Sequence, residues 1–470
     1  MSEFWKRVEH YRQLGIDPLK WVAGCAVKVD LTSVVYPALN SIKPELEKLG
    51  VTVSPRQDAD IFPKKGELLT ERRVYDTKDP KVDPVDLRRI NPTRAISLIQ
   101  VHQRVGGNAE SFAEVLLRVY RKIGEAHLSF AVGKGHSIIT AYPDAEFALF
   151  DFLVQTNGRS EGYNLANNDT IQLIDPTDDP ASEPQVHVAL SNAIADLVTL
   201  GCYENLQILP VFDAPNEEIS RQITNHMESY AKKFGIHINP QEMVGRRKLL
   251  IGATVLGEMH KEPPIFHNNL QGDMQILVTR DFGDLAPINV YLACEADPDF
   301  LSALQDEGFS LDEARRTKDD IVTLMKWPNL AVGEVINRYL PDSGEKFEPT
   351  EHIAVTGDLS GPGIYIFKEM AQLGGVDIAL DKVPLKYPEY VLFASRNYLM
   401  DNGTAGTNGA VAIVASSNVI DNVSRDLGKH GYEPRVIGKI LGRGEGKVYL
   451  PKNGRDLLAA KTIQEEFLYR

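Results

Sequence analysis

The stretch VHVALSNAIADLVTLG, Val186 to Gly201, decides how the rest of the chain is read. Val188, Ala189, Asn192, Ala193, Asp196 and Leu197 recur at helical spacing, which predicts a helix from Val186 to Leu200. Asn192 and Asp196 are four residues apart and share one face of that helix. Among Ala, Ile, Leu and Val, such a pair reads in two ways. It either sets an amide and a carboxylate side by side toward a metal–phosphate group, or it is an ordinary polar stripe facing water.

Working outward, Gln207 to Phe212 reads as a strand. Glu217 to Phe234 reads as an amphipathic helix with Ile219, Ile223, Met227 and Tyr230 on its apolar face. Upstream, Ala145 to Val154 and Thr170 to Ile174 are strand-like. Asn108 has the character of an N-cap for a helix bearing Phe112, Val115, Leu116, Val119, Tyr120 and Ile123. Ser54 to Arg94, rich in Pro, Asp, Lys and Arg, lacks apolar periodicity and reads as an insertion. Glu3 to Leu14 is a short amphipathic helix.

Downstream, a second unit is expected from about Lys248. Its strands are Leu249–Leu256, Gln275–Thr279, Tyr390–Ala394 and Ala410–Val414. Its helices are Leu311–Met325, Val332–Tyr339, Gly363–Leu373 and Ser417–His430. Strands and helices interleave without strict alternation, which argues for an α+β architecture. The expected division is a segment 1–50, an insertion 51–107, a first domain 108–245 and a second domain 246–470.

Of 470 residues, 51 are basic and 65 acidic, a formal charge of −14. That balance disfavours nonspecific nucleic-acid binding, which needs a cationic surface. No apolar run is long enough to span a membrane. The start of the chain lacks the basic and apolar regions of a signal peptide, and three cysteines build no disulfide framework. A cytoplasmic enzyme is expected. Walker-type, HExxH, paired CxxC, GxSxG and GxGxxG motifs are all missing.

Four further motifs carry potential chemistry. In Ala23-Gly24-Cys25-Ala26-Val27-Lys28, the lysine would lower the thiol pKa or meet a phosphate; the plainer reading is a buried cysteine beside an exposed lysine. Ile171 to Asp175 delivers a carboxylate at a strand end, or is an acidic turn. Asp358-Leu359-Ser360-Gly361-Pro362-Gly363 opens a glycine-rich turn into a helix, suited to an anion and its cation or to a simple helix entry. Asn402 to Gly409 is a hairpin or a ligand-contacting loop.

In this order along the chain, the motifs resemble those of the aminoimidazole-ribonucleotide synthetase (PurM-like) superfamily, and within it the selenide, water dikinase (selenophosphate synthetase) family. The matching positions are Gly24, Cys25 and Lys28; Asn192 to Asp196 with Gly201; Gly272-Asp273 with Val278-Thr279-Arg280 and Gly283; Asp358 to Gly363 with Glu369-Met370; and Val376 to Pro384. The resemblance departs at Val27 and over Met400 to Gly406.

It implies a two-domain PurM-like α+β fold, with N-terminal strands forming a barrel across a homodimer and a layered sheet–helix C-terminal domain. It also implies ATP and Mg²⁺ as cofactors. Cys25 and Lys28 would be catalytic, with Lys28, Asn192, Asp196, Gly361 and Gly363 contacting the nucleotide. Asp144, Asp175, Asp196 and Asp358 would hold metal. The implied reaction is phosphorylation of selenide or a related reduced chalcogen, giving AMP and phosphate. Alternatives are a thiamine-phosphate kinase-like small-molecule kinase, an ATP-dependent dehydratase, or a noncatalytic nucleotide-binding regulator.

Overall fold

The computed structural model describes residues 3–16, 41–45, 48, 163–239 apart from 172 and 176, 249–459 and 461–470, with the backbone alone of five short strands between 52 and 156. Helix α1 (Glu3–Gln13) buries Phe4, Val8 and Tyr11. Strands β1 (Thr52–Val53), β2 (Ser129–Val132), β3 (Ile138–Tyr142), β4 (Ala145–Leu149) and β5 (Phe152–Thr156) precede β6 (Tyr163–Ile171). Helix α2 (Glu183–Thr199), strand β7 (Gln207–Asp213), helix α3 (Glu217–Phe234), and strands β8 (His237–Ile238) and β9 (Leu250–Met259) follow. Among the described residues these strands form one nine-stranded sheet in the order β1-β2-β3-β4-β5-β6-β9-β7-β8.

Helix α2 begins after Ser182 in extended conformation, with a proline in its first turn, where the fixed φ favours helix entry. It ends at Gly201, whose φ of 86° is the left-handed conformation that glycine adopts without penalty. Helix α3 has both caps: Asn216 accepts from the Ile219 amide at 2.9 Å, and Gly235 closes it at φ 67°.

The second half contains β10 (Gln275–Val278), α4 (Leu285–Ala296), α5 (Pro298–Asp306), α6 (Leu311–Met325), α7 (Leu330–Arg338), β11 (Val355–Asp358), α8 (Tyr365–Gly374) and β12 (Val376–Leu380). Then come α9 (Pro388–Arg396), β13 (Val411–Ala415), α10 (Ser417–Lys429), β14 (Arg435–Arg443), β15 (Val448–Leu450), α11 (Lys461–Gln464) and β16 (Leu468–Tyr469). The second sheet runs β11-β13-β10-β14-β12-β15-β16, antiparallel through β12 and parallel beyond it. The protein is therefore an α+β molecule built on two sheets.

Several expectations need correction. The strand expected at Leu249 to Leu256 in the second unit is, from Leu250, part of β9, which lies between β6 and β7 in the first sheet. Tyr390 to Ala394 is helix, not strand; Pro388 and Glu389 start α9, and Tyr390, Val391, Phe393 and Ala394 are buried at helical spacing. Ala145 to Val154 is not one strand but parts of the antiparallel pair β4 and β5, with Asp151 falling between them in the sequence. The strand expected at Thr170 to Ile174 is the end of β6 and stops at Ile171. The stretch from Ser54 to Arg94, the Asn108 helix, Cys25, Lys28 and Asp144 lie outside the described residues. Among the described residues, no helix is long and apolar enough to cross a membrane.

Candidate functional site

Helix α2 lies against β6 and β9 on one side and meets α6, α7 and β11 on others. A helix so enclosed is expected to be apolar all round. From Gln185 to Cys202 every residue is buried except Asn192 and Asp196. A second segment shows the same pattern. From His352 to Phe367 every residue is buried except Asp358, at the end of β11. Burial thus singles out three of the residues marked by sequence.

The α2 pair meets two polar residues of β6. Successive β-strand side chains alternate in direction, so Leu165, Asn167, Asp169 and Ile171 share the face toward α2. The Asn167 Nδ2 donates to the Asp196 carboxylate at 2.9 Å and to the Ala193 carbonyl at 2.8 Å. The Asn192 amide donates to the Asp169 carboxylate. Asn167 is 1% exposed, and its Oδ1 is buried with no hydrogen-bond partner. Because both bonds from Nδ2 require a donor there, the amide orientation is fixed and the orphan atom is an oxygen. Sequence reading missed Asn167 and Asp169. The signal was two polar residues in alternate positions between Leu165 and Ile171.

Strand β11, which ends at Asp358, meets the same helix. Thr356 donates from Oγ1 to the Thr199 carbonyl at 2.6 Å. Asp196 lies one turn from Thr199, a rise of about 4.5 Å, and Asp358 lies two strand residues from Thr356, about 7 Å. The Asp358 carboxylate also accepts from the Ser360 amide at 2.9 Å.

Asp175, expected to hold metal, has its carboxylate engaged by another partner. It is 5% exposed and forms an ion pair with buried Lys318. Its carboxylate also accepts from the Thr177 amide at 2.9 Å. Burial disfavours the Lys318 charge, but Asp175 and Asp319 outweigh it and raise the ammonium pKa. The Gln185 side chain anchors the Asp175 backbone at the start of α2. Eleven positions separate Gln185 from Asp196, about 16 Å along the helix.

Gly361 and Gly363, expected to contact the nucleotide, lie in the turn between β11 and α8. Both are buried, and the amides of Gly363 and Ile364 are already used. Gly363 donates to the Leu359 carbonyl at 3.1 Å and Ile364 to the Thr404 hydroxyl at 3.0 Å. A Cβ on Gly363 would lie 2.4 Å from Thr404 Oγ1, so the glycine permits close packing of the 401–409 loop.

Among the described residues no three His, Cys, Asp or Glu side chains gather closely enough to hold a metal by themselves. Mg²⁺ does not require that; it commonly takes one or two carboxylates and completes its shell with phosphate and water oxygens. The donors on the α2–β6 patch, Asp169, Asp196 and the orphan Asn167 Oδ1, are all oxygens and suit a hard cation. Cys202 and Cys294 do not suit nucleophilic work, because burial pushes both thiols up to about 12.

No protein-family model matches the sequence, and no curated relative matches it. Solved structures to which the chain is similar include tt0281 from Thermus thermophilus, at 15% identity and TM-score 0.44, covering 62% of this chain and 85% of that one. Thiamine-monophosphate kinase from Stenotrophomonas maltophilia K279a is similar at 14% identity and TM-score 0.43, covering 66% and 91%. The E. coli hydrogenase maturation protein HypE is similar at 17% identity and TM-score 0.40, covering 61% and 81%.

Proposed function

We propose that this chain is an ATP- and Mg²⁺-dependent phosphotransferase acting on selenide or a related reduced chalcogen, and that it works as a homodimer. The observation that carries the nucleotide part is the exposure pattern. Two long buried segments open to solvent only at Asn192, Asp196 and Asp358, the positions that the resembled family uses around ATP.

Bound Mg²⁺ would neutralise the triphosphate, which phosphoryl transfer requires more than covalent help. Asp196 and Asp169 would hold the cation, with Asp358 approaching from β11. Asn167 and Asn192 have a positioning role: their amides hold the two carboxylates in place. Such preorganisation keeps the ligands from reorienting when the charge arrives. Cys25 is proposed to carry or activate the chalcogen, and Lys28 to meet phosphate. With Cys202 and Cys294 buried and of raised pKa, Cys25 remains the cysteine suited to that role.

The test measures ATP consumption with selenide, with sulfide and without acceptor, and identifies the nucleotide product. AMP formed with selenide, and lost in Cys25→Ser, is the expected result. Asp196→Asn should lower turnover by roughly a hundredfold or more while leaving the far-UV spectrum unchanged. ADP with an unchanged Cys25→Ser rate would move the assignment to a small-molecule kinase. Absence of Mg²⁺-dependent ATP binding would remove both.

A further inference from the structure

A cavity of about 560 Å³ lies away from the carboxylate patch, where the α6–α7 turn meets the loop between α10 and β14. Its lining includes Phe234, Trp327, Asn329, Tyr432, Arg280 and Lys386, and it shares no residue with the patch. Its size falls in the range of roughly 300–1,000 Å³ typical of small-molecule sites.

Trp327 is 48% exposed, unusual for the largest apolar side chain in a packed turn. It is nonetheless held firmly. Phe234 meets it edge-on at 5.5 Å, and Lys233 Nζ sits 4.7 Å from the ring centre. The turn beneath it is fixed by Asn329, at φ 53°, whose Nδ2 donates to the Trp327 carbonyl at 2.9 Å. Tyr432 donates its hydroxyl to Asn329 Oδ1 at 3.0 Å. An aromatic platform held this way loses little entropy when a ligand stacks on it.

The charges around the cavity are unevenly used. Arg280 is engaged by Asp284 at 3.0 and 2.5 Å. Asp281 and Glu433 both pair with Arg435, at 2.5 and 3.7 Å. Among the described residues Lys386 has no ion-pair partner. Burial pushes the Tyr432 phenol up to about 12, so it stays protonated and adds no negative charge.

We propose that this cavity binds a small planar aromatic anion, stacked on the Trp327 indole with its negative group on Lys386. The exposed part of the Trp327 indole is the platform. The unspent ammonium supplies the charge complement, and the wall polar groups set orientation.

The full-length chain is titrated calorimetrically with 1-naphthyl phosphate, and separately with 1-naphthylmethanol and inorganic phosphate. The expected result is one naphthyl phosphate per chain, bound at least roughly tenfold more tightly than either control. Lys386→Ala and Trp327→Leu should each weaken it about tenfold, and Lys386→Arg should retain it. Circular dichroism checks that each variant is folded; Lys386 is exposed, so its substitution leaves the core intact. No saturable binding to the native chain overturns the proposal. So does equal affinity for naphthylmethanol, equal affinity for phosphate, or indifference to both substitutions.

Discussion

Single side chains show where local chemistry outweighs pattern. His187 on α2 is buried, with Nδ1 2.9 Å from Glu183 and Nε2 without a partner. Tyr230 lies 4.9 Å and His226 6.4 Å away, ring to ring, and Lys326 adds a further positive charge nearby. Burial lowers the imidazole pKa to about 4, against the partial opposition of Glu183. The unfolded chain titrates near the ordinary value of about 6.5. Above that pH neither state is protonated and the histidine is neutral to stability. As pH falls from about 6.5 to about 4, the unfolded state takes up a proton that the fold refuses, so stability declines. Below about 4 both states are protonated and the decline levels off. The full loss is roughly 3 kcal/mol. Tm measured against pH should therefore drop across that window, and His187→Gln should flatten the drop. An unchanged slope in the variant would refute the assignment. None of this was visible in sequence, where His187 is one polar residue in an apolar run. Asn192 and Asp196 were legible because four-residue spacing fixes a shared helix face. Asn167 and Asp169 become meaningful only once β6 is paired with that face.

At the scale of elements, helices were read more reliably than strands, for a physical reason. A helix carries its own start and stop chemistry. For α3, Asn216, the acidic first turn and Gly235 mark both ends. A strand takes its partners from elsewhere in the chain, so β9 gave no sign that it belongs with β6 and β7. The apolar run at Tyr390 to Phe393 suited strand or helix equally, and Pro388 decides for helix. Asp175 shows the same dependence on distant residues: nothing in the apolar run before it points to the residue its carboxylate pairs with. Lys318 on α6 is that partner, and the pair ties α6 to the acidic turn on which α1 rests. Tyr11 donates to the Asp178 carbonyl at 2.7 Å, and Arg7 lies 3.5 Å from Asp179. Removing one member of a buried pair strands the other charge. Lys318→Met should cost about 3–5 kcal/mol in urea denaturation. Adding Asp175→Asn should recover part of that loss. A double variant as unstable as the sum of the two single variants would deny the coupling.

For the molecule as a whole, α2 decides whether the two sheets are independent. Its β6–β9 side belongs to the first sheet, while Thr199 accepts from Thr356 of the second. Asn408, in the loop leading to β13, donates to the Met325 carbonyl at 2.6 Å and also lies 3.5 Å from the Val188 carbonyl. One apolar cluster runs from Leu165 and Ile194 through Ile336 to Leu277 and Ile413, joining residues of both sheets. Unfolding the second sheet alone would expose the flank of α2 that β11 and α7 cover, and unfolding the first would strip that helix from its strands. Neither half can open without uncovering apolar surface of the other, at about 25 cal/mol per Å². The region from 163 to 470 should therefore melt in one transition, with calorimetric and van't Hoff enthalpies in a ratio near one. Thr356→Val should lower stability by about 1 kcal/mol through loss of one buried hydrogen bond, without splitting that transition. Two resolved melting steps in the native chain would mean that α2 belongs to one sheet only. The carboxylates of α2 and β11 would then not be held in a fixed relation, and a shared grip on one cation would lose its structural basis.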